Sequence, residues 1–440
     1  MGRGRGERAS PLDLSNLRVE EHGLPMHIAA LAVLDGWPLL DAGGRLRLEE
    51  LRRHVADRVR DVERLHQVLV WAHGRHRAPT WVTAPVFDVA DHVLSRRVPP
   101  PGDEAALLAL CSDLNAPPLD RSRPLWELWL LPGLAGGRVA LLLRLHHVVA
   151  DGAAALELFA ALFDPSPEAS PGPPAAPSRG PLVAVGRRLR RTWQLLRLGR
   201  APALSWNRPV GTRRRHLLLR ADFAAVRAAG RAHRGTVNDV VLAAVGGGAH
   251  RLLERRGELA PGLDLHVSVP ASLRRPGQRG GNRVGVRPVA VPVSDPDVED
   301  RLRSVAAWTA RQRDWPPLQP AGRLLQRWAV HVMSRQRLIN MVVSNLPGPR
   351  QPLELAGARV LELFQLSALQ GNCAIGVGVL SYAGQLTVDV VGDPDVVPDL
   401  EVFAGGVAEA LERLGAGLDV DDVQARTHRG PGGSRLPGPR

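Results

Sequence analysis

The stretch Arg138-Val139-Ala140-Leu141-Leu142-Leu143-Arg144-Leu145-His146-His147-Val148-Val149-Ala150-Asp151-Gly152 decides how the rest of the chain is read. Its first eight residues form a nearly unbroken apolar run, the pattern of a buried strand. An Ala/Leu-rich helix is predicted to follow over residues 152–163. Alternate residues of a strand point to opposite faces, so of two adjacent histidines one turns inward while the other can face a cavity. A neutral imidazole at such a strand-to-helix junction, with an acid four residues on, is placed to act as a general base. The plainer alternative is a core histidine pair followed by an Asp that caps the helix. Metal binding fits poorly, because adjacent histidines do not easily ligate one ion and no further His or carboxylate stands at ligand spacing.

At 440 residues the chain exceeds the usual size of one hydrophobic core and is read as two domains. Its net charge of +13 raises nucleic acid or an anionic membrane as partners. Lysine is absent, however, so the basic count is entirely arginine, as a GC-rich coding bias produces. No nucleic-acid-binding signature accompanies the charge, and nucleic acid is not expected as a partner. The only cysteines, Cys111 and Cys373, rule out a disulfide framework and are expected to be reduced thiols of a cytosolic protein. The basic first residues lead into no apolar segment, so no signal peptide is expected. No run approaches the roughly 18 apolar residues of a spanning helix, so any contact with the inner face of the plasma membrane or a lipid droplet is expected to be peripheral.

Outward from the motif, the first half alternates helical and strand patterns. Residues 26–34 and 125–131 read as strands, 103–115 as a helix, and 48–70 contains an amphipathic helix. Residues 81–101 read as irregular. Pro, Ala and Ser dominate residues 164–180, a linker composition. Over residues 182–200, Leu, Val and Trp193 alternate with arginines. That is a basic amphipathic helix, which either lies on anionic lipid or packs its Leu face against a domain. In the second half, strands are predicted at 217–219, 265–269, 284–293, 359–366, 375–381 and 386–391. Helices are predicted at 223–233, 236–256 and 399–414. Gly246-Gly247-Gly248 falls inside a helical pattern and suits close helix packing, while residues 344–349 read as a polar turn. The expected division is an N-terminal domain over 1–163, a linker with the basic helix over 164–212, a C-terminal domain over 213–425 and a disordered tail over 426–440.

No Gly-x-Ser-x-Gly elbow, phosphate-binding loop or dinucleotide fingerprint is present. Chemistry without an enzyme nucleophile therefore fits best: His deprotonates one substrate, which attacks the other directly. Asn238-Asp239 follows Thr236 at a helix start. Capping explains one of the two, and an amide aimed at a developing oxyanion explains the other.

Together these residues resemble the bacterial wax ester synthase/diacylglycerol acyltransferase family over nearly the whole chain. Pro11-Leu12-Asp13 with Pro25-Met26-His27 is similar to the family's opening, and residues 118–126 to its Pro-Leu-Trp block. His146 to Gly152 matches its His-His-x-x-x-Asp-Gly motif and Asn238-Asp239 its Asn-Asp motif. Gly281-Asn282, Asn345-Leu346-Pro347-Gly348-Pro349, Ser381-Tyr382 and Pro398-Asp399 follow in the family's order. Its Pro-Val-Ser-x-Arg block is matched only loosely by Val269-Pro270-Ala271-Ser272-Leu273-Arg274.

The resemblance implies an α/β (α+β) fold of two chloramphenicol-acetyltransferase-like subdomains, each a mixed sheet flanked by helices, joined by the Pro-rich linker. Acyl-CoA, as co-substrate, and diacylglycerol or a long-chain alcohol would meet in a tunnel between them, with no cofactor and no metal. His147 would be the general base and His146 would support its geometry. Asp151 would be structural, paired with an arginine such as Arg274, and Gly152 would permit the tight turn. Asn238 would orient the acceptor or hold the oxyanion, with Asp239 holding its helix. Two alternatives stay open: a related acyltransferase acting on another hydroxyl or an amine, and a weakly active protein that coats lipid droplets through residues 182–200.

Overall fold

Two six-stranded mixed sheets dominate the computed structural model, which describes residues 7–21, 25–71, 78–164, 199–273, 284–312 and 335–416. The linker beyond Asp164, residues 182–198, Arg274, Gly281-Asn282 and the tail lie outside the described residues. The first sheet runs in the order β11 (Glu354–Leu355), β12 (Ala358–Leu366), β1 (His27–Leu34), β6 (Val139–His146), β5 (Trp126–Pro132) and β4 (Val93–Ser95). The second runs β7 (Arg215–Asp222), β14 (Gln385–Gly392), β13 (Ile375–Tyr382), β10 (Met341–Pro347), β8 (Asp264–Ser272) and β9 (Val284–Pro292). A separate hairpin pairs β2 (Gln67–Val70) with β3 (Thr80–Thr83). Both large sheets mix parallel and antiparallel neighbours, with β4 parallel to β5 and β10 parallel to both β8 and β13.

The helices are α1 (Pro11–Glu21), α2 (Leu48–Val59), α3 (Glu104–Asn115), α4 (Gly152–Ala161), α5 (Phe223–Ala232), α6 (Val237–Arg255), α7 (Val298–Gln312) and α8 (Leu400–Arg413). The motif strand β6 is buried at every position. Leu141, Leu143 and Leu145 join one core cluster, and Ala140 and Leu142 join a second on the opposite face with Leu107, Leu110 and Cys111 of α3. Burial on both faces is why this strand reads as a run of leucines instead of an alternation. Arg144, the one charge in it, is held by Glu127 Oε2 at 2.9 Å and by the carbonyls of Leu114 and Pro117. In the second half Gly248 lets α8 close on α6, since a Cβ there would stand 2.6 Å from the Phe403 carbonyl oxygen.

Two expectations change. Residues 81–101 are not wholly irregular, for they hold the end of β3 and all of β4. Strands of three and four residues are too short to display an alternating pattern. Residues 344–347 are not a turn but the second half of β10, laddered in parallel with Gly378 to Ser381. Their polar side chains are used between the sheets: Gln365 Nε2 of β12 donates to Ser344 Oγ at 3.0 Å.

β12 is the structural link between the halves. It lies late in the chain, yet it pairs along β1 in the first sheet, with Leu31 opposite Phe364. The sheets therefore do not divide at the point where the composition shifts. Tyr382, the chain's only tyrosine, reaches from β13 to donate to the Val360 carbonyl at 3.0 Å and accept from the Leu353 N–H at 2.8 Å. Arg220 of β7 binds both Glu362 of β12 and Glu104 of α3. Replacing Tyr382 with Phe strands the Leu353 donor, and the expected loss in denaturant unfolding is about 1–3 kcal/mol.

Candidate active site

The heptapeptide stands where β6 leaves the first sheet. The His146 N–H donates to the Leu125 carbonyl at 3.0 Å and the His147 N–H to the Met26 carbonyl at 2.7 Å, so both neighbouring strands hold the exit. The Val149 N–H then returns to the His146 carbonyl at 2.9 Å to close a turn. Asp151 is fully buried, and its Oδ1 accepts from the Ala154 N–H at 3.0 Å as the N-cap of α4. The Asp151 side chain thus caps the helix, and Arg274 lies outside the described residues. Losing this cap in Asp151→Ala should cost about 0.5–2 kcal/mol, read as a lowered melting temperature.

Gly152 does not have the left-handed backbone that a glycine-only turn would require. Its role is close approach: a Cβ there would lie 3.2 Å from Leu346 Cδ1, on β10 of the second sheet. The turn after the histidines is thus seated directly against the other half of the molecule.

His146 and His147 separate as alternating side chains should. His146 is fully buried, and its Nδ1 accepts the Val148 N–H at 3.0 Å. His147 is half-buried. Burial pulls its proton affinity below that of an ordinary imidazole; its own backbone carbonyl and the carboxylates of Asp151 and Asp13 oppose that pull, and His146 adds to it. The net effect is a ring that is neutral at pH 7, the state a general base needs.

Behind the pair lies a polar cluster with no counterpart in the sequence motif. Glu20, at the end of α1, places Oε2 3.4 Å from His146 Nε2 and Oε1 3.8 Å from His27 Nε2. Arg121 binds the same carboxylate, with its Nε 3.2 Å from Oε2. Burial would raise the Glu20 carboxyl, but the nearby His146 ring and the Arg121 guanidinium outweigh it and hold the group at about 2. His27, the cross-strand neighbour of His146, donates from Nδ1 to the Asn115 carbonyl at 3.1 Å. Burial drives its pKa down to about 4. The sequence carried one sign of Glu20: acids at positions 20 and 21 end a helix, where the dipole disfavours them. Only tertiary partners make such a placement worthwhile.

Asn238 and Asp239 open α6 in the other half. Thr236 and Asp239 form a capping box, and Asp239 Oδ1 also accepts from Thr309 Oγ1 of α7 at 2.7 Å. Asn238 is half-buried in the first turn of α6. No described hydrogen bond or ion pair joins either residue to the histidines. Trp126 of the Pro-Leu-Trp block is a core anchor, its Nε1 donating to the Leu65 carbonyl at 2.9 Å and its ring stacked on His92. Both cysteines are free and buried, and among the described residues no three His, Cys, Asp or Glu side chains cluster to hold a metal.

Comparison with known proteins adds to this geometry. Residues 9–200 match the wax ester synthase/diacylglycerol acyltransferase catalytic domain, and residues 280–415 match the C-terminal domain of the same family. A Mycobacterium tuberculosis protein named as a diacylglycerol O-acyltransferase, tgs1, is 32% identical over 444 residues, covering 92% of this chain and 94% of its own. Among solved structures, the wax ester synthase/diacylglycerol acyltransferase from Marinobacter aquaeolei VT8 superposes with a TM-score of 0.68 at 23% identity, covering 93% of this chain and 100% of its own. The first condensation domain of the calcium-dependent antibiotic synthetase superposes with a TM-score of 0.66 at 17% identity, covering 94% of this chain and 97% of its own. These likenesses bear on the fold, which is the mixed two-sheet architecture that the family resemblance implies.

Proposed function

The chain belongs to the wax ester synthase/diacylglycerol acyltransferase family, and from that premise we propose that it transfers a long-chain acyl group from acyl-CoA to the hydroxyl of diacylglycerol or a long-chain alcohol. The observation that carries the reading is His147: a half-buried imidazole whose proton affinity burial lowers, fixed by its backbone at a strand exit that abuts the second sheet. In the proposed reaction His147 takes the acceptor's hydroxyl proton as the oxygen attacks the thioester carbonyl. The tetrahedral oxyanion collapses, the C–S bond breaks, and His147 returns its proton to the CoA thiolate. No acyl-enzyme forms, and acyl-CoA is a co-substrate, with no cofactor required. Asn238 is assigned the acceptor or oxyanion, supported by its half-buried place at the start of a helix secured by Asp239.

An acceptor of this kind resides in lipid, which supports peripheral work at a membrane or lipid-droplet surface. Among the described residues no helix is long and apolar enough to cross a membrane. The test is release of free CoA from long-chain acyl-CoA in the presence of diacylglycerol, long-chain alcohols, small alcohols or amines. Acceptor-dependent release with the first two supports the proposal. Release only with small alcohols or amines replaces the acceptor, and none with any overturns the activity.

A further inference from the structure

α1 carries a polar stripe, Asp13, Asn16 and Glu20, at three- and four-residue spacing on one helical face. Asp13 and Asn16 are buried, Glu20 is half-buried, and Asn16 and Glu20 reach the histidine pair. Asn16 Nδ2 donates to the His147 carbonyl at 3.3 Å, and one turn later Glu20 meets the His146 ring. The His146 contact has a definite chemical consequence. A backbone N–H can only donate, so the Val148 N–H at 3.0 Å requires a bare lone pair on His146 Nδ1. In the neutral ring the proton then sits on Nε2, the nitrogen that faces Glu20 Oε2. A carboxylate accepts and cannot donate, so it favours that tautomer and opposes the other. Arg121 anchors the carboxylate from the loop before β5, which keeps it from swinging away.

We propose that Glu20 is a positioning residue for acyl transfer: it holds His146 as the Nε2–H tautomer, so that Nδ1 captures the Val148 N–H and the turn aims His147. Asn16 secures the same turn from the other side by gripping the His147 carbonyl. α1 thereby belongs to the catalytic apparatus although it touches no reacting atom. This rests on the reading of His147 as general base, and it is separable from it because the tautomer is observable without turnover.

The experiment uses the full chain labelled with ¹⁵N-histidine, with the His146 signals assigned through His146→Asn. Long-range ¹H–¹⁵N correlation at neutral pH should show His146 protonated on Nε2 only. In CoA-release kinetics Glu20→Met should lower kcat by about 10–100-fold, as lost orienting partners do, with the acyl-CoA KM nearly unchanged. Glu20→Gln, which keeps an acceptor oxygen, should restore most of that kcat. A wild-type His146 protonated on Nδ1 overturns the proposal, whether or not Glu20→Met folds. So does a folded Glu20→Met with wild-type kcat, or a folded Glu20→Gln as impaired as Glu20→Met. If the wild type itself releases no CoA with any acceptor, the acyl-transfer reading fails, while the tautomer result still stands or falls alone.

Discussion

Replacing His147 with Ala should cut acceptor-dependent CoA release by about 10²–10⁴-fold, the usual worth of a positioned general base. The backbone hydrogen bonds to Met26 and from Asn16 use the main chain of residue 147 and survive the substitution, so the fold should be kept. The loss should fall on kcat, since the imidazole acts in the transition state and contributes little to ground-state binding. A pH profile sharpens the test. His147 must be neutral to work, so activity is present above its folded-state pKa and is lost as pH falls through it. Burial lowers that pKa against the opposing carboxylates of Asp151 and Asp13, so the acid limb of kcat/KM should lie below the ordinary imidazole value of 6.5. That limb should vanish from the residual activity of His147→Ala. A folded His147→Ala with near wild-type turnover would sink the assignment.

Stability should fall as the solution is acidified, and His27 is one of the imidazoles, with His147, His92 and His266, whose proton affinity burial lowers. Its folded-state pKa is about 4 against an ordinary 6.5, so between those values the unfolded chain binds a proton that the native state refuses. Its contribution is therefore complete above pH 6.5 and is lost as pH falls toward 4. The share of His27 is about 3 kcal/mol, at 1.36 kcal/mol per pKa unit. Glu20 adds to the fall at lower pH, alongside Asp120 and Asp399: its pKa is lowered from 4.5 to about 2, so its contribution is present above 4.5 and lost as pH falls toward 2. Melting temperature against pH should show the combined fall. His27→Gln, which can still donate to the Asn115 carbonyl, should make the slope between pH 6.5 and 4 shallower and leave that at lower pH. An unchanged slope between pH 6.5 and 4 in that variant would show that His27 is not the buried neutral group.

The legible part of the fold was local. Continuous leucines announced β6, since a strand covered on both faces has no polar side to alternate. Thr236 and Asp239 announced the start of α6 because a capping box is a matter of three-residue spacing. β3 and β4 escaped notice because three or four residues carry no period. The second half of β10 is hidden because Ser344 and Asn345 look like turn residues until Gln365 arrives from another strand to bind Ser344.

The sequence by itself determined the chemistry: an adjacent histidine pair at a strand end, an acid to start the next helix, and no nucleophile elbow. Those are short-range features, fixed by residue type and by the two- and four-residue geometry of strands and helices. Only the tertiary structure decided which histidine is inward, because that depends on what covers each face. It alone revealed that the first sheet takes β12 from late in the chain, that Gly152 makes room for Leu346 and not for a left-handed turn, and that Glu20 stands behind His146. These pairings join residues more than a hundred positions apart. Their energy comes from burial and from satisfying buried polar groups, so they exist only once the chain has closed around them.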